Sequence, residues 1–491
     1  MVTGFTLLGQ IIGFITHLVS ASLFGAGPEM DAFFAGSALP QYVIAVLVGS
    51  MAMVFVPVFI EYLSTGREGE AWQVASSVIN VSLLGLGALA LVGALFAETL
   101  LTATAPGLSE AVRLQAAQVA VIAWPSVLGT CVIVLLTGIY QSRSHFGWPA
   151  AVPVIGALTT LGLILVLVNR LGIFGLAIAI TFGILLQAGL LLPLALRRGR
   201  YRRTVNWQHP GVWQVWRLLL PLVLANLVAK ATPLIDRFLA STMPEGSISH
   251  LGYAFLIFSV LSLLISTGIA TVIFPRMALN AADLDMPRLR QTMSAGLRVM
   301  WLGVAPAMTI GIALAFPLVV AVFQRGQFGA KDAVAVAGLL QVYLLALAPA
   351  SLGNITGRGF YVLRETRTFG ALSSIDSVAY ILYTALLARS LGPTGVALGF
   401  VVYFNIAFLW TVIIMRYKTG NAGGRMVLTS FVRTGSAALL GGAAAWGVTQ
   451  SISNVWLQLI LGGIFGLLVY GISLWSLKSP EVQQVWSSLR A

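Results

Sequence analysis

Fourteen apolar runs, each long enough to cross a lipid bilayer as a helix, occupy most of this 491-residue chain and constrain its fold more than any motif does. They fall at about 3–24, 37–63, 72–97, 115–140, 151–168, 172–196, 214–241, 247–274, 295–323, 333–362, 370–388, 393–415, 429–448 and 454–475. The hydrocarbon core of a bilayer takes about 20 helical residues, and backbone groups in lipid are satisfied only within helices or closed barrels. Unbroken apolar runs, rather than ten-residue segments of alternating character, select helices. With 58% hydrophobic residues, 9% charged residues and a mean hydropathy of +0.94, the chain has more apolar surface than one soluble core can hide. The expected fold is therefore all-α and polytopic, with fourteen transmembrane helices. The run from Thr3 to Phe24 lacks a basic leader and exceeds a signal-peptide core, so it reads as the first span.

The net charge of +13 does not indicate nucleic acid, because the charges are few and scattered between apolar runs rather than gathered into a phosphate-tracking face. It reads instead as loop charge that orients the protein. The even-numbered connections and the C-terminus, with Arg217 and Arg358 at the span ends beside them, hold 19 lysines and arginines, and the odd-numbered connections hold 5. By the positive-inside rule both termini are expected in the cytoplasm, as an even number of spans requires. The run Arg197-Arg198-Gly199-Arg200-Tyr201-Arg202-Arg203 marks the longest basic connection, halfway along, and suits anionic lipid headgroups. Cys131, the single cysteine, excludes an intramolecular disulfide or a thiolate metal site and reads as a small buried hydrophobe.

Short segments recur at a nearly constant offset. Gly138-Ile139-Tyr140-Gln141-Ser142-Arg143 returns as Gly359-Phe360-Tyr361-Val362-Leu363-Arg364, 221 residues later. Leu171-Gly172-Ile173-Phe174-Gly175 returns as Leu391-Gly392-Pro393-Thr394-Gly395, 220 later, and Phe55-Val56-Pro57 matches Ile273-Phe274-Pro275. Each pair holds equivalent places in spans 1–6 and 7–12. Six spans separate the copies, so the halves share one orientation, as in parallel repeats. The expected organisation is an N-lobe at 1–196, a basic linker at 197–213, a C-lobe at 214–415, and two further helices with a tail at 416–491. Such a layout suits alternating access about a central cavity. The chain has no HExxH, GxSxG or Walker motif and no repeated filter sequence, so nothing points to an enzyme, an ATP-driven pump or a channel.

Span 1 and its loop read Gly9-Gln10-Ile11-Ile12-Gly13-Phe14, Phe24-Gly25-Ala26-Gly27, Asp31-Ala32-Phe33-Phe34 and Leu39-Pro40. Span 7 reads Pro233-Leu234-Ile235-Asp236-Arg237-Phe238-Leu239-Ala240-Ser241, followed by Gly246-Ser247-Ile248-Ser249. Span 8 closes with Thr271-Val272-Ile273-Phe274-Pro275-Arg276, and span 10 with Arg358-Gly359-Phe360-Tyr361 and Arg364-Glu365-Thr366-Arg367-Thr368. Together these segments resemble the MurJ/MviN lipid II flippases of the multidrug/oligosaccharidyl-lipid/polysaccharide (MOP) exporter superfamily, over about residues 4–415. The resemblance implies two six-helix lobes in a V, with two extra C-terminal helices lining a groove for an undecaprenyl tail. On that resemblance, the cavity would take the pyrophosphate and the sugar-peptide headgroup.

The chain also departs from that pattern. Gly9-Gln10 and Ile15-Thr16-His17 stand where the family carries arginines in span 1, Ile44-Ala45 where it carries a pair in span 2, and Tyr253-Ala254-Phe255-Leu256 where it reads Tyr-Ala-Asp-Arg in span 8. In the family those arginines are implied to hold the pyrophosphate, which suits the guanidinium fork. Charges inside spans are costly and therefore informative. Lys230 is expected to replace that phosphate-binding charge, within a cavity set that includes Asp31, Gln10, Thr16, Arg237 and Asp376. Asp236 matches the family's span 7 aspartate and, with Tyr380 and Thr384 at the family's polar positions in span 11, forms the expected coupling-cation site. Arg143 and Arg364 close spans 4 and 10 as an expected cytoplasmic gate. The plainer readings are a helix cap for Asp31, structural pairs for Asp236 and Arg237, hydrogen-bonded structure for His17, and positive-inside anchoring for the two arginines. Asp376 is the expected counter-charge for Lys230.

The function expected on these grounds is a flippase that carries an undecaprenyl-pyrophosphate-linked glycan precursor, lipid II or similar, to the outer leaflet of the bacterial inner membrane. It would have no cofactor beyond a coupling Na+ or H+ or the membrane potential. Its partners would be the glycolipid, membrane lipids and envelope-biosynthesis proteins. A polysaccharide-unit flippase with other cargo, a cation-coupled drug antiporter of the MATE kind and a transport-dead scaffold are the alternatives.

Overall fold

The computed structural model describes residues 2–196, 201–203, 205–282, 285–363, 365–420 and 424–477, and among them helix is the only regular secondary structure. Contacts gather the chain into two compact units, Met1–Ser249 and His250–Ala491.

The first unit contains α1 (Val2–Phe24), α2 (Pro28–Ser64), α3 (Glu68–Leu95), α4 (Glu110–Ser142), α5 (Gly147–Leu171), α6 (Ile173–Leu196) and α7 (Pro210–Ser241). Its core lies where α2, α3 and α4 meet, around Phe55, Phe59, Trp72, Leu135 and Ile139. Val212, Val215 and Leu219 of α7 close it from one side. Arg202 and Asn206 of the basic connection lie against α3. There Asn80 donates to the Arg202 carbonyl at 3.0 Å, and Ser76 and Ser77 accept the Arg202 and Asn206 amides at 3.0 and 3.1 Å. The expected topology signal at Arg197, Arg198 and Arg200 lies outside the described residues.

The second unit takes up α8 (Ser247–Ala282) within its first turn. It continues with α9 (Met286–Ala313), α10 (Ala330–Val362), α11 (Thr366–Leu391), α12 (Pro393–Thr419), α13 (Gly424–Ser451) and α14 (Val455–Ser476). Thirteen of these fourteen helices are long and apolar enough to span a membrane. The other, α13, is rich in Gly and Ala, and that composition serves packing. In lipid the hydrophobic effect cannot hold helices together, so small residues let backbones approach. A Cβ on Gly441 would come within 2.7 Å of the Gly466 carbonyl on α14, and one on Gly442 within 3.0 Å of Thr309 on α9. Trp301 stacks on Phe431 at 5.0 Å, Thr309 donates to the Ala438 carbonyl at 2.6 Å, and Tyr470 donates to the Leu302 carbonyl at 2.7 Å. These contacts fasten the last two helices to α9.

The recurrences seen in the sequence are recurrences of backbone geometry. Gly172, between α5 and α6, has φ 55° and ψ −135°; Gly392, between α11 and α12, has φ 59° and ψ −138°. The Gly172 amide donates to the Val168 carbonyl at 2.8 Å, and the Gly392 amide to the Ala388 carbonyl at 2.9 Å. Gly175 and Gly395 then sit against carbonyls of the preceding helix, where a side chain would collide. After α4 the His145 amide donates to the Tyr140 carbonyl at 2.9 Å, and after α10 the Glu365 amide donates to the Phe360 carbonyl at 2.8 Å. Short helices at Ala97–Thr104 and Ala315–Phe323 follow α3 and α9 in the same way.

Candidate functional site

Span 7 is a broken helix. Its first part ends at Ala229 with Lys230 in the C-cap position, and its second part begins at Thr232 with Pro233 in the first turn. Proline has no amide to give and disfavours helical backbone in the residue before it, so Ala231–Pro233 is where the ladder fails. The Lys230 amide still reaches Asn226 at 2.9 Å, whereas the Ala231 amide turns to Val228 at 3.1 Å. Lys230 is exposed at the break, beside the positive end of the second half-helix. A cation and a helix N-terminus at one interruption form a site suited to an anion.

Span 2 is distorted opposite this break. Ile44–Val48 is a π-turn, closed by the Gly49 amide donating to the Ile44 carbonyl. Such turns place one residue too many in a helix and gather at functional sites. It packs against the first half of α7, where Tyr42 donates to the Leu227 carbonyl and Asn226 donates to Ser50 Oγ at 2.9 Å. The Leu227 carbonyl and the Asn226 side chain just before the interruption are thus engaged from α2, and Lys230 presents its ammonium at the exposed break. Tyr42, Ser50 and Asn226 escape a sequence reading that looks for charges. Their signal is that they are polar positions within apolar runs.

Asp31, near the start of α2, is 3% exposed. Its Oδ2 accepts the Gly246 amide at 2.6 Å, and its Oδ1 accepts the Ser249 amide and the Ser249 hydroxyl, each at 2.8 Å. These donors are the first free amides of α8, so Asp31 caps a helix from 215 residues away. Gln10 is exposed on α1, and Thr16 is buried with its hydroxyl bonded to the Ile12 carbonyl at 3.0 Å. Asp236 and Arg237 lie partly buried in the second half of α7, each engaged by a partner.

Arg143, expected as a gate, pairs with Glu68 at the start of α3 and lies over Trp72, 5.8 Å from the ring centroid. Its counterpart Arg364 is outside the described residues. The neighbouring Glu365 is bonded to Lys418 at 2.5 Å and to Thr368 at 2.8 Å. Lys418 first, then Thr368, holds the Glu365 carboxyl below its usual range.

Asp376, Tyr380 and Thr384 are brought together in the second unit. They stand four residues apart on one face of α11, buried to 5%, 0% and 0% exposure. α12 approaches this face through glycine: a Cβ on Gly399 would lie 2.2 Å from Thr384 Oγ1. Tyr380 packs edge-on against Tyr383 and Tyr403 at 5.7 and 5.6 Å. Among the described residues no group of three His, Cys, Asp or Glu converges.

An all-helical bundle in which thirteen helices are long and apolar enough to cross a membrane is a fold that this chain shares with solved membrane transporters. A solved inward-facing MATE multidrug transporter of the MOP superfamily aligns over 85% of this chain and 95% of its own, with a TM-score of 0.74 at 15% identity. A solved lipid II flippase MurJ aligns over 96% of this chain and 97% of its own, with a TM-score of 0.82 at 21% identity. Residues 20–464 match the family described as lipid II flippase MurJ, and the chain belongs to that family. Its relatives include a probable lipid II flippase MurJ of Vibrio cholerae, 27% identical across 98% of this chain and 97% of the relative. The lipid II flippase MurJ of Burkholderia cenocepacia is 26% identical across 75% and 73%.

Proposed function

We propose that this chain moves an undecaprenyl-pyrophosphate-linked glycan, lipid II or a close analogue, from the inner to the outer leaflet of the bacterial cytoplasmic membrane by alternating access. The family match across residues 20–464 carries this reading. The physical task fits a multi-pass bundle, since a polar headgroup cannot cross hydrocarbon unaided while its lipid tail stays at home in it. In this reading residues 1–196 and 214–415 act as the two moving lobes, 416–491 adds the tail-binding helices, and both termini face the cytoplasm.

Lys230 takes the role that the family's span 1, 2 and 8 arginines fill elsewhere: it meets the pyrophosphate at the break in α7. Its ammonium acts as a point charge rather than a fork, so it binds phosphate without dictating orientation. The test is complementation of a bacterium depleted of its own lipid II flippase, with wild-type protein and Lys230→Ala at matched membrane expression. Rescue by wild type and not by the variant supports both cargo and anchor. Rescue by both removes Lys230 from the site. No rescue by well-expressed wild type assigns the chain a different lipid-linked glycan, the reading that the missing arginines favour.

A further inference from the structure

The carboxyl of Asp376 is buried within a membrane-spanning helix, and neither of its oxygens has a hydrogen-bond partner among the described residues. Around it the orphaned groups are donors. Trp410 on α12 turns its indole toward Asp376, and its Nε1 is unbonded. Tyr383, two turns along α11 from Asp376, has a buried hydroxyl without a partner among the described residues and lies within electrostatic reach of Asp376. Thr384 Oγ1 is buried and unbonded beneath Gly399. An orphaned buried acceptor beside an orphaned indole donor is unusual, since buried polar groups are nearly always paired.

On α11 and the elements packed against it, the described cationic groups are remote or already held. Arg367 and Arg389 on α11 stand nine and thirteen residues away, about 13 and 20 Å along the helix. On α12, Lys418 is held by Glu365, and Tyr403 near Ser377 is the titratable group that faces the site. On the half of α10 that packs against α11, Arg358 bonds Asn354 at 3.0 Å and Tyr361 packs on Phe369. A bare carboxylate in such a place is far costlier than a neutral carboxyl. The indole N–H of Trp410 is a donor with no lone pair, so it can serve a carboxylate and not a metal ion.

We propose that Asp376 is a proton-binding site in the seam between α11 and α12. The proton comes from water, forms an O–H bond at one carboxylate oxygen, and returns to water when that bond breaks. The neutral form makes no charged claim on the Trp410 and Tyr383 donors. The ionised form recruits them as charge-assisted donors, which draws α12 onto α11, so occupancy by a proton sets how tightly the two helices are joined. This inference does not depend on the cargo.

The experiment is pH-difference infrared spectroscopy of the full-length protein in lipid nanodiscs, which reads the C=O stretch of a protonated carboxyl without requiring transport. The expected result is a protonated-carboxyl band in wild type that bleaches as pH rises, is unchanged by sodium, and is lost in Asp376→Asn. Trp410→Phe, which keeps the ring and removes the facing N–H, shifts the pH at which the band bleaches. Should Asp376→Asn not accumulate in the membrane, the Trp410→Phe shift alone decides the assignment. A wild type with no such band at any pH, a band that responds to sodium instead of pH, or one indifferent to both substitutions overturns the proposal.

Discussion

The carboxylate of Asp31 accepts the amide of Gly246 at 2.6 Å, so the start of one span is tied to the start of another that the chain reaches only six spans later. The contact is a cap as well as a tether. With both oxygens engaged and the residue buried, it resists water. Asp31→Ala leaves two amides of α8 unbonded and is expected to lower stability by about 1–3 kcal/mol, with Ser249→Ala costing about 1 kcal/mol. Thermal unfolding of the purified variants in one detergent measures both. Equal effects would show that the backbone bonds contribute nothing beyond the hydroxyl.

Lys230 is exposed, so substitution there should change activity without changing stability. Lys230→Arg is expected to retain function and Lys230→Glu to abolish it. A lost charge-assisted contact of about 1.5–3 kcal/mol corresponds to roughly ten- to a hundred-fold in apparent affinity. Complementation titrated by expression level, read beside the melting temperature, separates a binding defect from misfolding.

The repeated turns make a paired prediction. Gly172 and Gly392 share a backbone conformation open essentially to glycine alone, so Gly172→Ala and Gly392→Ala should each cost about 1–3 kcal/mol. Gly395→Ala should be worse, because its new methyl meets the Leu387 carbonyl at 2.1 Å with no flexible side chain to move aside. Fluorescence-detected size exclusion after heating ranks the three. Tolerance of Gly395→Ala would contradict the packing at that turn.

The Glu365–Lys418 pair sets a pH dependence at the membrane surface. The Glu365 carboxyl titrates below its usual range in the folded protein, so the pair's contribution is present above the ordinary carboxylate pKa and is lost as pH falls through the lowered one. The stability difference between wild type and Lys418→Gln should shrink as pH is lowered through and below the ordinary glutamate range. It should also shrink in high salt, since the pair is partly exposed. A difference that persists at low pH would point to packing by the lysine stem.

The span positions were legible because lipid imposes one rule on every backbone group, and a run such as 72–97 can satisfy it only as a helix. The turns at Gly172 and Gly392 were legible too, since a conformation that demands glycine leaves the residue type behind in both copies. α13 was placed by its Gly- and Ala-rich run, but its attachment to α9 through Thr309 and Trp301 has no periodic signature. Lys230 could be singled out as a charge, yet its place at a helix break depends on Pro233 and on α2. The seam around Asp376 was the least legible part. Its carboxylate stood out, but Trp410 lies 34 residues away and looks in sequence like any lipid-facing aromatic. Only the packing of α12 makes it a neighbour.

The π-turn at Ile44–Val48 behaves like a dislocation in a crystal. It stores one surplus residue, and sliding that surplus along α2 exchanges one hydrogen bond for another at each step instead of melting the helix. Each step rotates the residue it passes by about 100° around the helix axis. Side chains such as Tyr42 and Ser50, on opposite sides of the defect, can therefore change partners independently. Span 2 has in this surplus a way to re-face part of its surface while both of its ends stay anchored.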